Sequence, residues 1–181
     1  MNDILQFYQQ LAEDYHLIYA DWHATIERQG EILDRLLRAL RGDDPATLLD
    51  CSCGIGTQAL GLASRGYTVH ATDISPAAVA RAGREAEALG IALTTGIADM
   101  RQLDVQVPGE FDIVLSCDNA VPHLLSDDDL RLAAQSFYTK LRPGGLLLVS
   151  IRDYDHVRQE RPVAIPLRVF GEGEQRRLVF Q

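Results

Sequence analysis

The chain has 181 residues, of which 46% are hydrophobic and 24% are charged, and its formal net charge at pH 7 is −9. This size and composition predict a single soluble domain over 1–181, and the acidic balance argues against nucleic acid or an anionic membrane surface as a partner. The longest apolar run, LLLVSI at 146–151, is far shorter than the roughly 20 residues that cross a bilayer, and no signal-peptide pattern opens the chain, so we expect a cytoplasmic protein.

Two amphipathic segments open the chain. Apolar side chains recur at broadly helical spacing over 3–20 and again over 25–40. The glycine and proline of RGDDP, 41–45, are typical of a helix end. We therefore expect an N-terminal helical cap over 1–41.

Strand-like and helical segments alternate after the cap. The strand-like runs are TLLDCS (47–52), TVHATDI (68–74), ALTTGIA (92–98), FDIVLSC (111–117) and LLLVSI (146–151). The helical segments between them are 57–66, 75–90 and 126–145. Apolar strands that alternate with helices predict an α/β fold, a Rossmann-like parallel sheet with helices on both faces, over 46–155. Such sheets bind ligands outside the carboxyl ends of their strands.

The tail, VAIPLRVFGEGEQRRLVFQ, contains two apolar runs around GEG. This pattern predicts a hairpin within 160–181. We expect this hairpin to lie near the mouth of the site rather than to extend the parallel sheet.

Three cysteines, Cys51, Cys53 and Cys117, lie in strand-like contexts. A Cys-x-Cys pair without a partnering His or Cys is a poor zinc site. We expect reduced, buried thiols and no metal site.

The glycine loop GIGTQA, which follows the first strand, has two interpretations. It fits the permissive G-x-G-x-x-G/A dinucleotide pattern, and Asp73 ends the next strand, which would indicate a nicotinamide or flavin enzyme. However, Asp50 enters the same turn before the first glycine, Gly54. A carboxylate at that point repels the pyrophosphate of a dinucleotide.

Four acids, Asp50, Asp73, Asp99 and Asp118, end or follow the first four predicted strands. An edge of carboxylates suits a ligand that carries hydroxyls, amines and a positive charge but no phosphate. S-adenosylmethionine has a ribose, an adenine, an amino group and a sulfonium. The sequence therefore predicts S-adenosylmethionine as the cofactor.

The same residues carry a family resemblance. LLDCSCGIGTQALGLASRGYTVHATDIS resembles the first motif and the acidic second strand of class I S-adenosylmethionine-dependent methyltransferases, whose usual form is D-x-x-C-G-x-G. Three further segments resemble the glycine and glycine/sarcosine N-methyltransferases: SCDNAVPHLLSD (N-x-x-x-H-L), LRPGGLLLVSIRDYDHV (R-[ND]-Y-D) and YADWHATIERQGEILDRLL. The resemblance covers about 8 to 160 and implies methyl transfer to the amine of a small amino acid such as glycine or sarcosine.

The resemblance implies a cofactor site along the loop and the strand ends. Asp73 would accept both ribose hydroxyls, and Asp99 would take the adenine amino group. Arg28 matches the arginine that reaches the cofactor carboxylate. The implied cofactor-binding residues are Tyr8, Trp22, Arg28, Asp50, Ser52, Gly54, Gly56, Asp73, Ile74, Asp99, Met100 and Asp118.

Structural explanations for some of these residues stay open. Arg28 could be a solvated helix charge, and Ile74 and Met100 could be ordinary core residues. Tyr8 and Trp22 could close the site as an aromatic lid or pack the N-terminal helices onto the domain.

The resemblance also implies an acceptor site. Transfer of an activated methyl group needs positioning and desolvation rather than a strong base. Asn119 and His123 are the catalytic candidates, although His123 could instead be a loop histidine bonded to backbone. Arg152 matches the arginine that holds the acceptor carboxylate, with Tyr154 beside it, and its alternative is a salt bridge to a rim acid.

Relatives usually continue past the fifth strand into an insertion and closing strands, whereas this chain is expected to stop before them. The exposed sheet edge that we expect as a result makes a homo-oligomer possible. Three alternatives to an amino-acid N-methyltransferase stay open. These are a methyltransferase with another small-molecule acceptor, through O- or C-methylation, a nicotinamide-dependent oxidoreductase, and a non-catalytic binding module that retains the cofactor fold.

Overall fold

The computed structural model describes residues 2–160, 168–170 and 177–179, with side chains over 5–160. The helices are α1 (Asn2–Leu11), α2 (Trp22–Arg41), α3 (Thr57–Ala63), α4 (Pro76–Leu89), α5 (Leu103–Gln106), α6 (Asp127–Thr139) and α7 (Tyr154–Glu160). The strands are β1 (Thr47–Asp50), β2 (Thr68–Asp73), β3 (Thr94–Ile97), β4 (Phe111–Ser116), β5 (Leu141–Val149), β6 (Arg168–Phe170) and β7 (Arg177–Val179). Short 3₁₀ helices span Tyr15–Ile18 and Val121–His123.

Strands β1 to β5 form one sheet in the order β3-β2-β1-β4-β5. Every neighbouring pair is parallel. At the centre, Leu48 of β1 pairs with Val69 of β2 and with Ile113 of β4, and all three side chains are buried. The predicted Rossmann-like α/β fold is confirmed, and its order reverses direction between β1 and β4, where ligands of such folds bind.

Two of the predicted helices begin as local sequence chemistry indicates. The Ser75 side chain accepts a hydrogen bond from the Ala78 amide, with Pro76 at the first helical position of α4. The Ser126 side chain accepts from the Asp129 amide at the start of α6.

The predicted helix over 126–145 is too long. α6 ends at Thr139, and β5 begins at Leu141. The strand accommodates Pro143 and two glycines through a register shift, because Phe111 pairs with Leu141 whereas Ile113 pairs with Leu146. Proline lacks the amide hydrogen that a helix interior needs, so a helix could not have continued through Pro143 to residue 145.

The predicted helix over 3–20 is broken. α1 ends at Leu11, and a turn leads to the 3₁₀ helix Tyr15–Ile18. This break brings the tyrosines of the cap over the sheet edge. Sequence analysis also missed α5 and α7, which are a single turn and two turns long.

The cap packs on the domain through a close contact between α2 and α3. A Cβ on Gly30 would lie 2.5 Å from the Gly61 carbonyl oxygen, so the two helices approach more closely than any larger residue allows. The turn after α1 is also tied to α4, because Arg81 donates to the Glu13 carbonyl oxygen over 2.8 Å. These contacts fix the cap beside the carboxyl edge of the sheet.

The described parts of the tail, β6 and β7, pair antiparallel in a separate two-stranded sheet. This is the pairing that a hairpin requires. The turn GEG lies outside the described residues, and the position of the tail near the site mouth stays a prediction.

Candidate active site

The carboxyl ends of the five parallel strands meet at one edge, where a cavity of about 320 Å³ opens. Asp73, Asp99 and Asp118 line this cavity together with the glycine loop. The edge therefore combines carboxylates with an apolar wall that includes Ile74 and Met100. The four strand-end acids were predicted to lie together, and three of them line the cavity.

The glycine loop is held against the end of β2. The amide of Gly54 donates to Oδ2 of Asp73 over 2.9 Å, and the amide of Ser75 donates to Oδ1 over 2.9 Å. Each carboxylate oxygen has a second lone pair, so Asp73 can still accept two hydroxyl hydrogens. Gly54 and Gly56 have φ angles of 52° and 96°, which favour glycine.

Asp50 lies beneath the loop rather than on the cavity wall. It is 1% exposed, its Oδ1 accepts from the Ser52 amide, and its Oδ2 has no hydrogen-bond partner in the described part of the chain. Burial raises the pKa of Asp50 to about 7, and the charges of Asp73 and Asp118 add to the effect. Asp50 therefore supports the loop from below, whereas Ser52 itself lines the cavity.

The carboxylate of Asp99 is hydrogen-bonded to Arg101, a residue that sequence analysis did not identify. Both of its carboxylate oxygens accept hydrogen bonds from Arg101, whose guanidinium also contacts Asp129. Burial alone would raise the pKa of Asp99, but the bonds from Arg101 outweigh it and hold the pKa below its usual range. A ligand amino group at Asp99 would have to share this carboxylate with Arg101.

Two consecutive residues after β4 are strained. Asp118 and Asn119 have φ angles of 57° and 71°, a region that non-glycine residues rarely adopt. Asp118 accepts a hydrogen bond from the Tyr19 hydroxyl over 2.8 Å and donates its amide to the Ser150 hydroxyl. Strain of this kind concentrates at functional sites.

Asn119 joins the end of β4 to the segment after β5. Its Oδ1 accepts from the Tyr154 hydroxyl over 3.0 Å and from the Arg152 amide over 3.1 Å. The Arg152 side chain is exposed and lies outside the cavity lining. The side-chain amide of Asn119 therefore contacts Tyr154 through its hydroxyl and Arg152 only through its backbone, and none of these three predicted acceptor-site residues lines the cavity.

His123, the fourth, contacts the cap. Its Nε2 and the Tyr8 hydroxyl are 2.8 Å apart, and the two rings meet edge to face. Both residues line the cavity. The backbone-bonded alternative for His123 is not what this geometry supports, because the ring bonds to a side chain of the cap.

Two further tyrosines of the cap, Tyr15 and Tyr19, line the cavity beside Tyr8. Sequence analysis missed them. They lie seven and eleven residues after Tyr8, but the chain leaves α1 after Leu11, so no single helical face could have identified them.

Trp22 and Arg28 do not line the cavity. Trp22 is 4% exposed, donates to the Thr57 hydroxyl over 2.8 Å and packs under the Arg81 guanidinium. This geometry supports the packing alternative for Trp22, and its contact with a cofactor stays a prediction. Arg28 is exposed on α2 and does not line the cavity, so its contact with a cofactor carboxylate stays a prediction.

The three cysteines are free and buried. Burial raises the pKa of Cys117 to about 11 and raises those of Cys51 and Cys53 as well, so these thiols are poor nucleophiles at neutral pH. Among the described residues, no group of His, Cys, Asp and Glu side chains could hold a metal ion. No helix in that part of the chain has the length and apolar character needed to cross a membrane.

A protein-family model described as "Methyltransferase domain" matches residues 48–145. The chain is 34% identical, over 76% of its length, to the glycine/sarcosine N-methyltransferase of Parasynechococcus marenigrum, and 31% identical, over 74%, to the glycine N-methyltransferase of Homo sapiens. It covers 48% and 50% of those proteins, so it spans about half the length of these curated relatives.

Two solved structures of methyltransferases resemble this chain in fold. An S-adenosylmethionine-bound amino pentose methyltransferase of Micromonospora echinaspora is 28% identical with a TM-score of 0.62, over 77% of this chain and 55% of that one. An S-adenosylmethionine-dependent methyltransferase of Clostridium acetobutylicum, at 16% identity, has a TM-score of 0.67 over 96% of this chain and 79% of that one, which is a likeness of fold.

Proposed function

Since this chain belongs to the class I S-adenosylmethionine-dependent methyltransferases, we propose that it transfers the methyl group of that cofactor to the amine of a small amino acid such as glycine or sarcosine. The names of its curated relatives support this acceptor class. The acceptor is a small molecule on this proposal, and the reaction needs no metal.

The cavity fits the cofactor chemically. A nucleoside with an amine and a sulfonium offers hydroxyls, an amino group and a positive charge, and Asp73 and Asp118 are acceptors on the wall. Gly54 lines the cavity without a side chain, whereas Gly56 lies outside the lining, where a Cβ would meet Ala82 and Leu60. A pyrophosphate would meet the carboxylate of Asp73, which already occupies the Gly54 amide, so a dinucleotide fits poorly.

The observation that carries the acceptor assignment is the network of Asn119. Its Oδ1 accepts from both the Tyr154 hydroxyl and the Arg152 amide, next to Asp118. The network restrains the backbone at Arg152, and on this proposal its exposed guanidinium reaches from outside the cavity to an acceptor at the carboxyl edge of the sheet. A planar guanidinium binds a carboxylate through two parallel hydrogen bonds, which would orient the amine of an amino acid.

For methyl transfer, the protein needs to do little beyond holding the cofactor and the acceptor amine in position. When bound, S-adenosylmethionine supplies a methyl group that its sulfonium has already activated. Methyl transfer from the bound cofactor to the amine would release S-adenosylhomocysteine and a proton from the methylated amine, with Asp73 and Asp118 as the residues that would hold the cofactor. His123, bonded to Tyr8, is placed on the cavity wall where its ring can take that proton or pass it to solvent.

A second acceptor class is an amine without a carboxylate. The similarity to an amino pentose methyltransferase favours it. The two classes differ in whether Arg152 is needed, because an amino sugar offers no anion to a guanidinium.

Methyl transfer from labelled S-adenosylmethionine to matched acceptors tests the proposal. The panel is glycine, sarcosine, methylamine and an amino sugar, with the methylated products identified by mass spectrometry. We expect product with glycine or sarcosine and much less with methylamine. Preferred methylation of the amino sugar would replace the proposal with the second class. Cofactor binding without turnover of any acceptor would favour a binding module.

A further inference from the structure

Arg101 is a charged side chain on the wall of the cavity, next to Met100 and Asp99. Its side chain is only 11% exposed. It forms ion pairs with two carboxylates, that of Asp99 after β3 and that of Asp129 in the first turn of α6. The guanidinium therefore lies between two acids that belong to different elements of the fold.

The carboxylate of Asp99 is held by both the backbone and the side chain of Arg101. Its Oδ1 accepts from the Arg101 backbone amide over 3.0 Å and from Nε over 2.9 Å. Its Oδ2 accepts from Nη2 and shares Nε over 3.2 Å. Because Nε is shared between the two oxygens, Oδ2 is the less occupied of them, and it keeps lone-pair capacity for a ligand.

The other end of the guanidinium is fixed by the start of α6. Nη1 of Arg101 donates to Oδ1 of Asp129 over 2.6 Å. Asp129 is itself held in place, because its Oδ2 accepts from the Ser126 hydroxyl and its amide donates to the same hydroxyl oxygen. Arg101 cannot turn away from Asp99 without breaking its ion pair with Asp129.

The position of Arg101 decides the charge of Asp99. Burial raises the pKa of Asp99 and the charge of Asp129 adds to this, but the hydrogen bonds and the charge of Arg101 outweigh both and hold the pKa below its usual range. Without the guanidinium, two partly buried carboxylates would face each other, and one of them would tend to keep a proton. Arg101 therefore keeps Asp99 ionised.

The charge of Asp99 determines which purine it can bind. An ionised carboxylate only accepts hydrogen bonds, whereas a protonated carboxyl group also donates one. The 6-amino group of adenine donates, and the 6-oxo group of hypoxanthine only accepts. An ionised Asp99 thus favours adenine, while a protonated Asp99 could bind either base.

We infer that Arg101 is a positioning residue that makes the site selective for a 6-amino purine, because it fixes the Asp99 carboxylate in one orientation and as an acceptor only. The inference rests on the proposed function, since it presupposes that the adenine of the cofactor lies at Asp99. It assigns to Arg101 a part in choosing the ligand, through Asp99 rather than by direct contact.

A purely structural role for Arg101 predicts something different. If the guanidinium only joined the loop after β3 to α6, its loss would weaken two ligands that differ in the base alone by the same factor, because they share the ribose and the amino-acid part. The ratio of the two affinities therefore separates the explanations.

Isothermal titration calorimetry of the full chain with S-adenosylhomocysteine and with S-inosylhomocysteine, which carries hypoxanthine, measures that ratio. We expect the wild type to bind the adenine compound at least about tenfold more tightly. In Arg101→Met this ratio should fall about threefold to tenfold at pH 6, and by less at pH 8, where Asp99 is more fully ionised. Arg101→Lys keeps a positive charge between the two acids and should stay closer to the wild-type ratio.

Arg131→Met is the matched control, because Arg131 also pairs with an aspartate of α6, Asp128, but its side chain is 68% exposed. This variant should keep the wild-type ratio.

Equal affinity of the wild type for the two ligands, or an unchanged ratio in Arg101→Met, would overturn the inference. If Arg101→Met does not fold, as judged by circular dichroism, Arg101→Gln is measured in the same way and must lower the same ratio. Failure of the wild-type chain to bind S-adenosylhomocysteine would instead overturn the proposed function, so the two failures are distinguishable.

Discussion

The backbone amide of Gly54 donates a hydrogen bond to Oδ2 of Asp73 over 2.9 Å. This bond ties the glycine loop after β1 to the end of β2. The other oxygen of Asp73 accepts from the Ser75 amide at the start of α4, so two backbone amides orient the carboxylate. Asp73 is therefore presented to the cavity in one geometry before any ligand binds.

Asp73→Ala should weaken binding of S-adenosylhomocysteine by roughly 1–3 kcal/mol, because the change removes charge-assisted bonds to two hydroxyls. Calorimetry measures the difference. Asp44→Ala, which removes an exposed acid from the loop before β1, is the control for net charge. NAD and NADP should not raise the melting temperature of the wild type, whereas S-adenosylhomocysteine should. A normal affinity in Asp73→Ala, or a clear shift with NAD, would contradict the cofactor assignment.

Arg152→Lys should impair methylation of glycine, because an ammonium cannot bind a carboxylate through the planar fork of a guanidinium. We expect KM for glycine to rise about tenfold, with a smaller change in kcat. The rate with methylamine should not change. Arg158→Lys, an exposed arginine on α7, is the control. An equal effect of Arg152→Lys on both acceptors would rule out a carboxylate anchor.

Asp50→Asn should change how stability depends on pH. The pKa of Asp50 is raised from 3.8 to about 7 in the folded chain, so between these values the folded state holds a proton that the unfolded state has lost. The free energy of unfolding therefore falls as pH rises through that range. The asparagine variant lacks this loss, so its stability relative to the wild type should rise between about pH 4 and pH 7 and then level off, by up to about 4 kcal/mol in total. Urea denaturation at several pH values measures the difference, and parallel curves would show that the carboxyl is not perturbed.

Gly61→Ala should destabilise the cap. A Cβ at this position would lie 2.6 Å from the Ile26 carbonyl oxygen and 2.9 Å from the Gly30 Cα, so α2 must move away from α3. We expect a loss of about 1–3 kcal/mol, although alanine is the better helix former. Gly83→Ala on α4 is the matched control, because the nearest atom to its Cβ would be 3.8 Å away. That change should stabilise by roughly 0.5–1 kcal/mol, and chemical denaturation of the two variants compares them directly.

The edge of acids could be predicted because it depends on topology alone. Asp73 and Asp118 lie at strand ends in the chain, and the carboxyl ends of parallel strands meet wherever such a sheet forms. The position of Asp50 beneath the loop could not be predicted. Strand order says which edge a residue is on, but not whether its side chain points into the cavity or into the core.

The amino-acid sequence by itself determined the parallel sheet, the glycine loop and the class of cofactor, because hydrophobic period, glycine spacing and strand-end charge are local properties of the chain. Only the tertiary structure determined which side chains contact one another. It paired Arg101 with Asp129, buried Trp22 against Thr57 and brought the cap tyrosines over Asp73 and Asp118. Contacts between residues far apart in the chain depend on how helices cross and where α1 breaks. Helix crossing and the position of the break in α1 are determined by packing, such as the close approach of Gly30 to Gly61, rather than by any local pattern in the sequence.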